Sequence, residues 1–293
     1  MKIFTSIFQL FCLFMPLFLQ GQAPGTDIYL FDISLINGRV NYYNPIQITN
    51  RDGYDNQPTF TADSKNLLFS SDRDGKEQTD IYQYSLAKDK ITRLTETPES
   101  EYSPQPIPGK RYFSVVRVEA DGETQRLWKF PFRAGGRADV LLPEVKQVGY
   151  YAWIDRGALA VFRLPEPFKL ETYYIDGRFG RLIHRGVGRS LHMVPNEYSL
   201  TYVDKEDTSN WKIQKLGLIT GETTTLVACM DDEEDYCWSP EGYMLMGAEG
   251  RLYMFIPGQD ENWRFVGELG IGDFYRMAIS PDGSKLAVVV YRK

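Results

Sequence analysis

Short apolar runs in alternating pattern recur along the chain, each broken by Gly, Pro, Asp or Asn before a helical period can establish itself. FTADSKNLLFSSDRDG, Phe60 to Gly75, and ISPDGSKLAVVV, Ile279 to Val290, read as a strand end, a tight turn on Asp with Gly or Ser, and a second apolar strand. That is the signature of a β-hairpin. Four more stretches share the plan: SPQPIPGKRYFSVVR, YYAWIDRGALAVF, SLHMVPNEYSLTYV and DYCWSPEGYMLMG. Aligned on Phe60, Pro106, Trp153, Met193, Trp238 and Ile279, the six hairpins lie 40 to 47 residues apart, the spacing of four-stranded propeller blades. A second strand pair follows each of the first five, from DIYQYSLAKDKITRLTE to RLYMFIPGQDENWRFVG.

The sixth hairpin has no second pair after it, because the sequence stops at Lys293. An orphan pair stands at the other end: DIYLFDISLINGRVNYYNPIQIT, Asp27 to Thr49, matches DIYQYSLAKDKITRLT and has no hairpin of its own. Together the two orphans make one blade and remove two sheet edges. The expected fold is therefore all-β, a six-bladed β-propeller of four-stranded antiparallel blades, closed by pairing the Asp27 to Thr49 strands with the Arg276 to Tyr291 hairpin. Composition agrees: 19 Tyr, 17 Phe, 25 Gly and 16 Pro in 293 residues favour strands and turns over long helices.

Residues 1–21 stand apart. Lys2 precedes the apolar run IFTSIFQLFCLFMPLFLQG, which Gln9 and Pro16 interrupt. It is short for a membrane span and has the form of a secretory signal peptide, the alternative being an uncleaved anchor. Cleavage would start the mature chain near Gln22, as a single domain over 22–293 with no membrane span, in the periplasm or outside the cell. Cys12 leaves with the leader, and Cys229 and Cys237 remain, either bridged or as two buried thiols. The net charge of −6 argues against a nucleic-acid partner, which would demand a basic stripe.

FTADSKNLLFSSDRDGKEQTDIYQYSLAKDKITRLT resembles the repeat of TolB-type propellers. The carriers are Phe60, Asp63, Ser71 to Gly75, Asp80-Ile81-Tyr82 and Leu94-Thr95, with the turn repeated at Ser280-Pro281-Asp282-Gly283 and Ser239-Pro240-Glu241-Gly242. The three central repeats depart from it, with Ile154-Asp155-Arg156-Gly157 and Val194-Pro195-Asn196-Glu197 replacing the turn motif. The resemblance reaches only the propeller. It implies a non-catalytic module that uses one rim to hold another envelope protein or peptide.

Candidate chemistry narrows the choice. A G-x-S-x-G nucleophile elbow is absent from the sequence, which removes the propeller-bearing peptidases. Metal-dependent propeller enzymes lean on several histidines, and this chain has two, His184 and His192, eight residues apart. The acidic residues are the candidate partner-binding rim. In an up-and-down ring the inter-blade loops share a face, which would collect Glu96, Glu99, Glu101, the run Asp231, Asp232, Glu233, Glu234, Asp235, and Glu268 with Asp273. Such a run either binds a cation or a basic segment or is a solvated loop. Asp72 and Asp74 are read as turn formers of the repeat. No catalytic residues and no cofactor are expected, beyond a cation such as calcium in the channel or the acidic loop, and the protein is expected to be a monomer. The alternative is a propeller that binds, and acts on, a small ligand or glycan; Trp153 and Trp238 are assigned to the core rather than to sugar stacking.

Overall fold

The computed structural model describes residues 25–73, 78–230 and 233–292. The proposed leader and Cys12 lie outside them, as do Asp74, Asp231 and Asp232. The first two strands, β1 (Thr26–Ile36) and β2 (Arg39–Gln47), form a hairpin turned at Asn37 and Gly38, both with positive φ, the backbone that a two-residue turn between right-twisted strands requires. Blade 1 follows as β3 (Asp55–Phe60), β4 (Asn66–Ser71), β5 (Asp80–Ser85) and β6 (Lys90–Arg93). Blade 2 contains β7 (Ser100–Pro106), β8 (Tyr112–Val118), β9 (Gln125–Pro131) and the two-residue β10 (Asp139–Val140). In blade 3 are β11 (Val148–Trp153), β12 (Ala158–Arg163), β13 (Lys169–Tyr174) and β14 (Phe179–Arg185). Blade 4 is built from β15 (Val187–Met193), β16 (Ser199–Asp204), β17 (Lys212–Gly217) and β18 (Thr223–Ala228). Blade 5 comprises β19 (Tyr236–Trp238), β20 (Met244–Ala248), β21 (Arg251–Phe255) and β22 (Arg264–Glu268). The last hairpin, β23 (Phe274–Ile279) with β24 (Lys285–Tyr291), joins the first in one sheet of order β2-β1-β24-β23.

The ring closes as the sequence pattern predicts. β1 runs antiparallel to β24 from Thr26 opposite Tyr291 to Asp32 opposite Lys285, and Arg292 Nη1 reaches Asp27 Oδ2 at 3.0 Å just outside the ladder. All six anchors end the innermost strand of their blade: Phe60, Pro106, Trp153, Met193, Trp238 and Ile279. The decayed central repeats therefore keep the register of the others.

Alternation along each strand builds the core. Leu67 and Phe69 face the closing blade and pack with Ile28, Leu30 and Val289, while Leu68 between them faces blade 2 and packs with Phe113 and Val115. Successive side chains of a strand point to opposite faces, so a sheet covered on both sides is apolar at every position. Six such clusters fill the six seams between blades.

Candidate functional site

The innermost strands line a central channel in layers that follow the repeat. Three residues before the anchors stand Gln57, Ser103, Tyr150, Ser190, Asp235 and Arg276, and all six line a narrow core of about 110 Å³. One residue before the anchors come Thr59, Gln105, Ala152, His192, Cys237 and Ala278, which with the anchors and Pro195, Pro240 and Pro281 line a wider funnel of about 430 Å³. The polar layer lies toward the face where the innermost strands begin. The apolar funnel opens at the face where they end. Ladder breaks between Asn56 and Thr59 and between Tyr102 and Gln105 hold Gln57 and Ser103 at positive φ, and such bulges re-aim side chains. Here Gln57 Oε1 accepts from Ser103 N at 2.7 Å and from Ser70 Oγ at 2.9 Å, which ties blade 1 to blade 2.

An ion-paired cluster dominates the polar layer. Arg189 Nη2 donates to Asp235, and Arg276 Nε lies 3.6 Å from its Oδ1. Arg276 also donates from Nη1 to Asn56 Oδ1 at 3.0 Å, and its guanidinium sits 5.6 Å from the ring centres of both Tyr150 and Tyr275. Burial pushes the Asp235 carboxyl up, and Arg276 and Arg189 more than reverse that, holding it below the usual carboxylate range. A base so held is a weak proton acceptor. Glu234 Oε1 lies 3.1 Å from both Arg189 Nη1 and Lys205 Nζ. Burial pushes the deep-set His192 down to about 4, and its ring packs 4.8 Å from that of Tyr236. The imidazole is neutral at neutral pH.

The acidic residues singled out from the sequence do not form one solvated rim. Glu96 and Asp273 are exposed, and Glu99 and Glu233 are half-buried. Glu101, Glu234 and Asp235 are buried, because each packs beside an Arg side chain within a seam rather than at a loop tip. Glu101 accepts from Thr97 Oγ1 at 2.5 Å and Thr95 Oγ1 at 3.2 Å, and Arg117 Nε lies 3.5 Å away. Burial pushes it up to about 8, with the neighbouring Asp80 adding to the rise. Glu99 pairs with Arg117. Asp72, read as a turn former, instead ties its loop to the segment before β3, accepting from Tyr54 N at 2.9 Å and pairing with Arg51.

Other expectations are corrected or resolved. His184 and His192 do not share a site: His192 lines the channel, while His184 Nε2 lies 3.1 Å from Asp204 Oδ1 outside it. Cys229 and Cys237 are free thiols. Trp153 is a core residue as expected, yet with the half-buried Trp238 it also faces the funnel. The alignment missed Arg189, Arg276 and Gln57, although its own offset of three residues marks the ring to which Gln57 and Arg276 belong. Among the described residues no helix is long and apolar enough to cross a membrane.

No family model and no curated protein sequence matches the chain. Solved structures do. A putative TolB from Agrobacterium tumefaciens superposes with a TM-score of 0.67 at 14% identity, covering 92% of this chain and 99% of that one. TolB from Acinetobacter baumannii gives a TM-score of 0.59 at 13% identity, with 90% of this chain matched to 63% of the other. An oligogalacturonate lyase in complex with manganese gives 0.57 at 14% identity, over 90% and 86% of the two chains. The fold is thus that of a TolB-type six-bladed propeller, and it is shared with an enzyme.

Proposed function

We propose that the chain is an exported, non-catalytic propeller that holds a segment of another cell-envelope protein, with the apolar funnel as its seat. One observation carries this: six side chains from six blades, Phe60, Pro106, Trp153, Met193, Trp238 and Ile279, converge on one open mouth of about 430 Å³. A mouth lined by aromatic, Met and Pro side chains suits an apolar anchor residue of a partner, and well-packed pockets of this kind hold interface hot spots. The charged groups beneath it are engaged with one another, which suits a wall better than a proton-transfer apparatus. The likeness to TolB structures supports the same role.

A second reading rests on the narrow core, where Gln57, Gln105, Arg189, Arg276 and His192 converge, a set suited to a small anionic ligand such as an acidic sugar. The lyase shares this fold. The test immobilises residues 22–293 and exposes them to solubilised envelope proteins. A partner retained by the wild type should be lost from Met193→Glu and Ile279→Glu, each costing 2 kcal/mol or more if it is a hot spot, on the order of 30-fold. Retention undiminished by both changes would refute the funnel as the seat. A thermal shift with galacturonate oligomers, abolished by Arg276→Met, would favour the second reading.

A further inference from the structure

We infer that His184, Asp204 and Glu206 form a site for a divalent metal ion of the Zn²⁺ type, at the seam where blade 3 passes into blade 4. His184 is the next-to-last residue of the outer strand of blade 3, and Asp204 and Glu206 lie at and just after the end of β16 in blade 4. Their ligand atoms all fall within 4.8 Å of one another. His184 Nε2 is 3.1 Å from Asp204 Oδ1 and 3.9 Å from Glu206 Oε1. Two ligand atoms on one tetrahedral zinc, each bonded at about 2.0 to 2.2 Å, lie about 3.3 Å apart, so the two separations bracket the required one.

The nitrogen itself points to a ligand. His184 Nε2 is shielded from solvent and makes no hydrogen bond, the state that a bound cation would satisfy. The carboxylates are held from behind, as metal ligands generally are: Asp204 Oδ1 accepts from Glu206 N at 3.0 Å, and Oδ2 from Gln214 Nε2 at 3.4 Å. Gly186 brings the two segments together. Its carbonyl accepts from Lys205 N at 2.7 Å, its φ is +65°, and a Cβ there would sit 3.3 Å from Glu206 Cγ. Lys205, between the two carboxylates in sequence, is directed onto Glu234 and the Trp211 ring instead.

Glu206 is exposed while His184 and Asp204 are about one-fifth exposed, so an ion can enter from solvent and keep a water as its fourth ligand. Imidazole with two carboxylates suits zinc better than calcium or magnesium, which prefer oxygen donors alone. The thiols are poor competitors for the ion, since burial pushes Cys229 and Cys237 each up to about 12.

Chelator-treated wild-type protein, titrated with Zn²⁺ against a chromogenic chelator, should bind one ion per chain with micromolar affinity and unfold at a higher temperature when loaded. His184→Gln and Asp204→Asn should each weaken binding at least about 10-fold and abolish the thermal shift. Gln214→Leu, which leaves all three ligands in place, should weaken it about 10-fold, whereas His192→Gln should leave the zinc affinity unchanged. Co²⁺ in place of zinc should give ligand-field bands without a thiolate charge-transfer band. Absence of binding up to millimolar zinc, undiminished binding by both His184→Gln and Gln214→Leu, or a thiolate band would each overturn the site.

Discussion

Toward the face where the innermost strands begin, the channel wall is charged and locked, with Asp235 between Arg189 and Arg276 and Glu234 between Arg189 and Lys205. Toward the opposite face the same six strands end in Phe, Pro, Trp, Met, Trp and Ile around an open funnel. The charged residues are thus engaged with one another, whereas the apolar ones edge an opening, with Phe60 and Trp153 buried in its wall and Pro106, Met193, Trp238 and Ile279 half-buried. A buried carboxylate between two guanidiniums is held because removing it would strand both cations, whereas apolar side chains at a mouth leave no charge behind when they are replaced. The largest predicted effect follows from that asymmetry. Asp235→Ala should cost about 3 to 5 kcal/mol of unfolding free energy, read from urea midpoints, while Met193→Glu in the open mouth should cost far less. Equal losses at the two ends would break the contrast.

A second carboxyl sharpens it through pH. Glu101 is fully buried, and burial raises it from 4.5 to about 8, with Asp80 likewise raised by burial. Because the folded value lies above the unfolded one, this group's contribution is complete below pH 4.5 and is lost as pH rises through 8. Glu101→Gln should flatten the loss, leaving the variant more stable than the wild type at pH 9 by on the order of 1 to 3 kcal/mol relative to their difference at pH 5. His192 acts in the opposite sense: depressed to about 4 by burial, it contributes fully above pH 6.5 and less as pH falls through 4. A wild-type midpoint that rises steadily to pH 9 would contradict the Glu101 assignment.

The fold was legible because a propeller repeats its constraints. The six anchors, the spacing and the orphan pair at Asp27 to Thr49 all follow from alternation and turn chemistry, which are local, and closure adds only the demand that no edge be left open. The site was legible in part. The channel layers sit at fixed offsets from the anchors, so Asp235 and Arg276 could have been paired by counting back three residues. Burial of Glu101 and Glu234 could not, because an acidic stretch reads as solvated until the guanidiniums of Arg117 and Arg189 arrive from other strands. Likewise His184 finds Asp204 and Glu206 only through the turn of the chain at Gly186. In each case the missing information is a partner fixed by tertiary packing.

The smallest predicted effect concerns the acidic residues that stay in water. Glu96 has 80% of its side chain exposed beside Arg93 at 3.5 Å, and Asp273 is exposed at the start of β23. Both lie toward the strand-start face, at the far end of the channel from the funnel. Exposed pairs contribute about 0 to 1 kcal/mol and are screened by salt, so Glu96→Gln with Asp273→Asn should move the unfolding free energy by no more than about 0.5 kcal/mol. A partner seated in the funnel should keep its dissociation rate in that double variant, since no contact at the seat changes, and long-range steering would alter only association at low salt. Stopped-flow association at low and high salt separates the two cases. If the double variant loses its partner as completely as Met193→Glu does, the acidic face is itself the seat, and the funnel is only the far end of a channel.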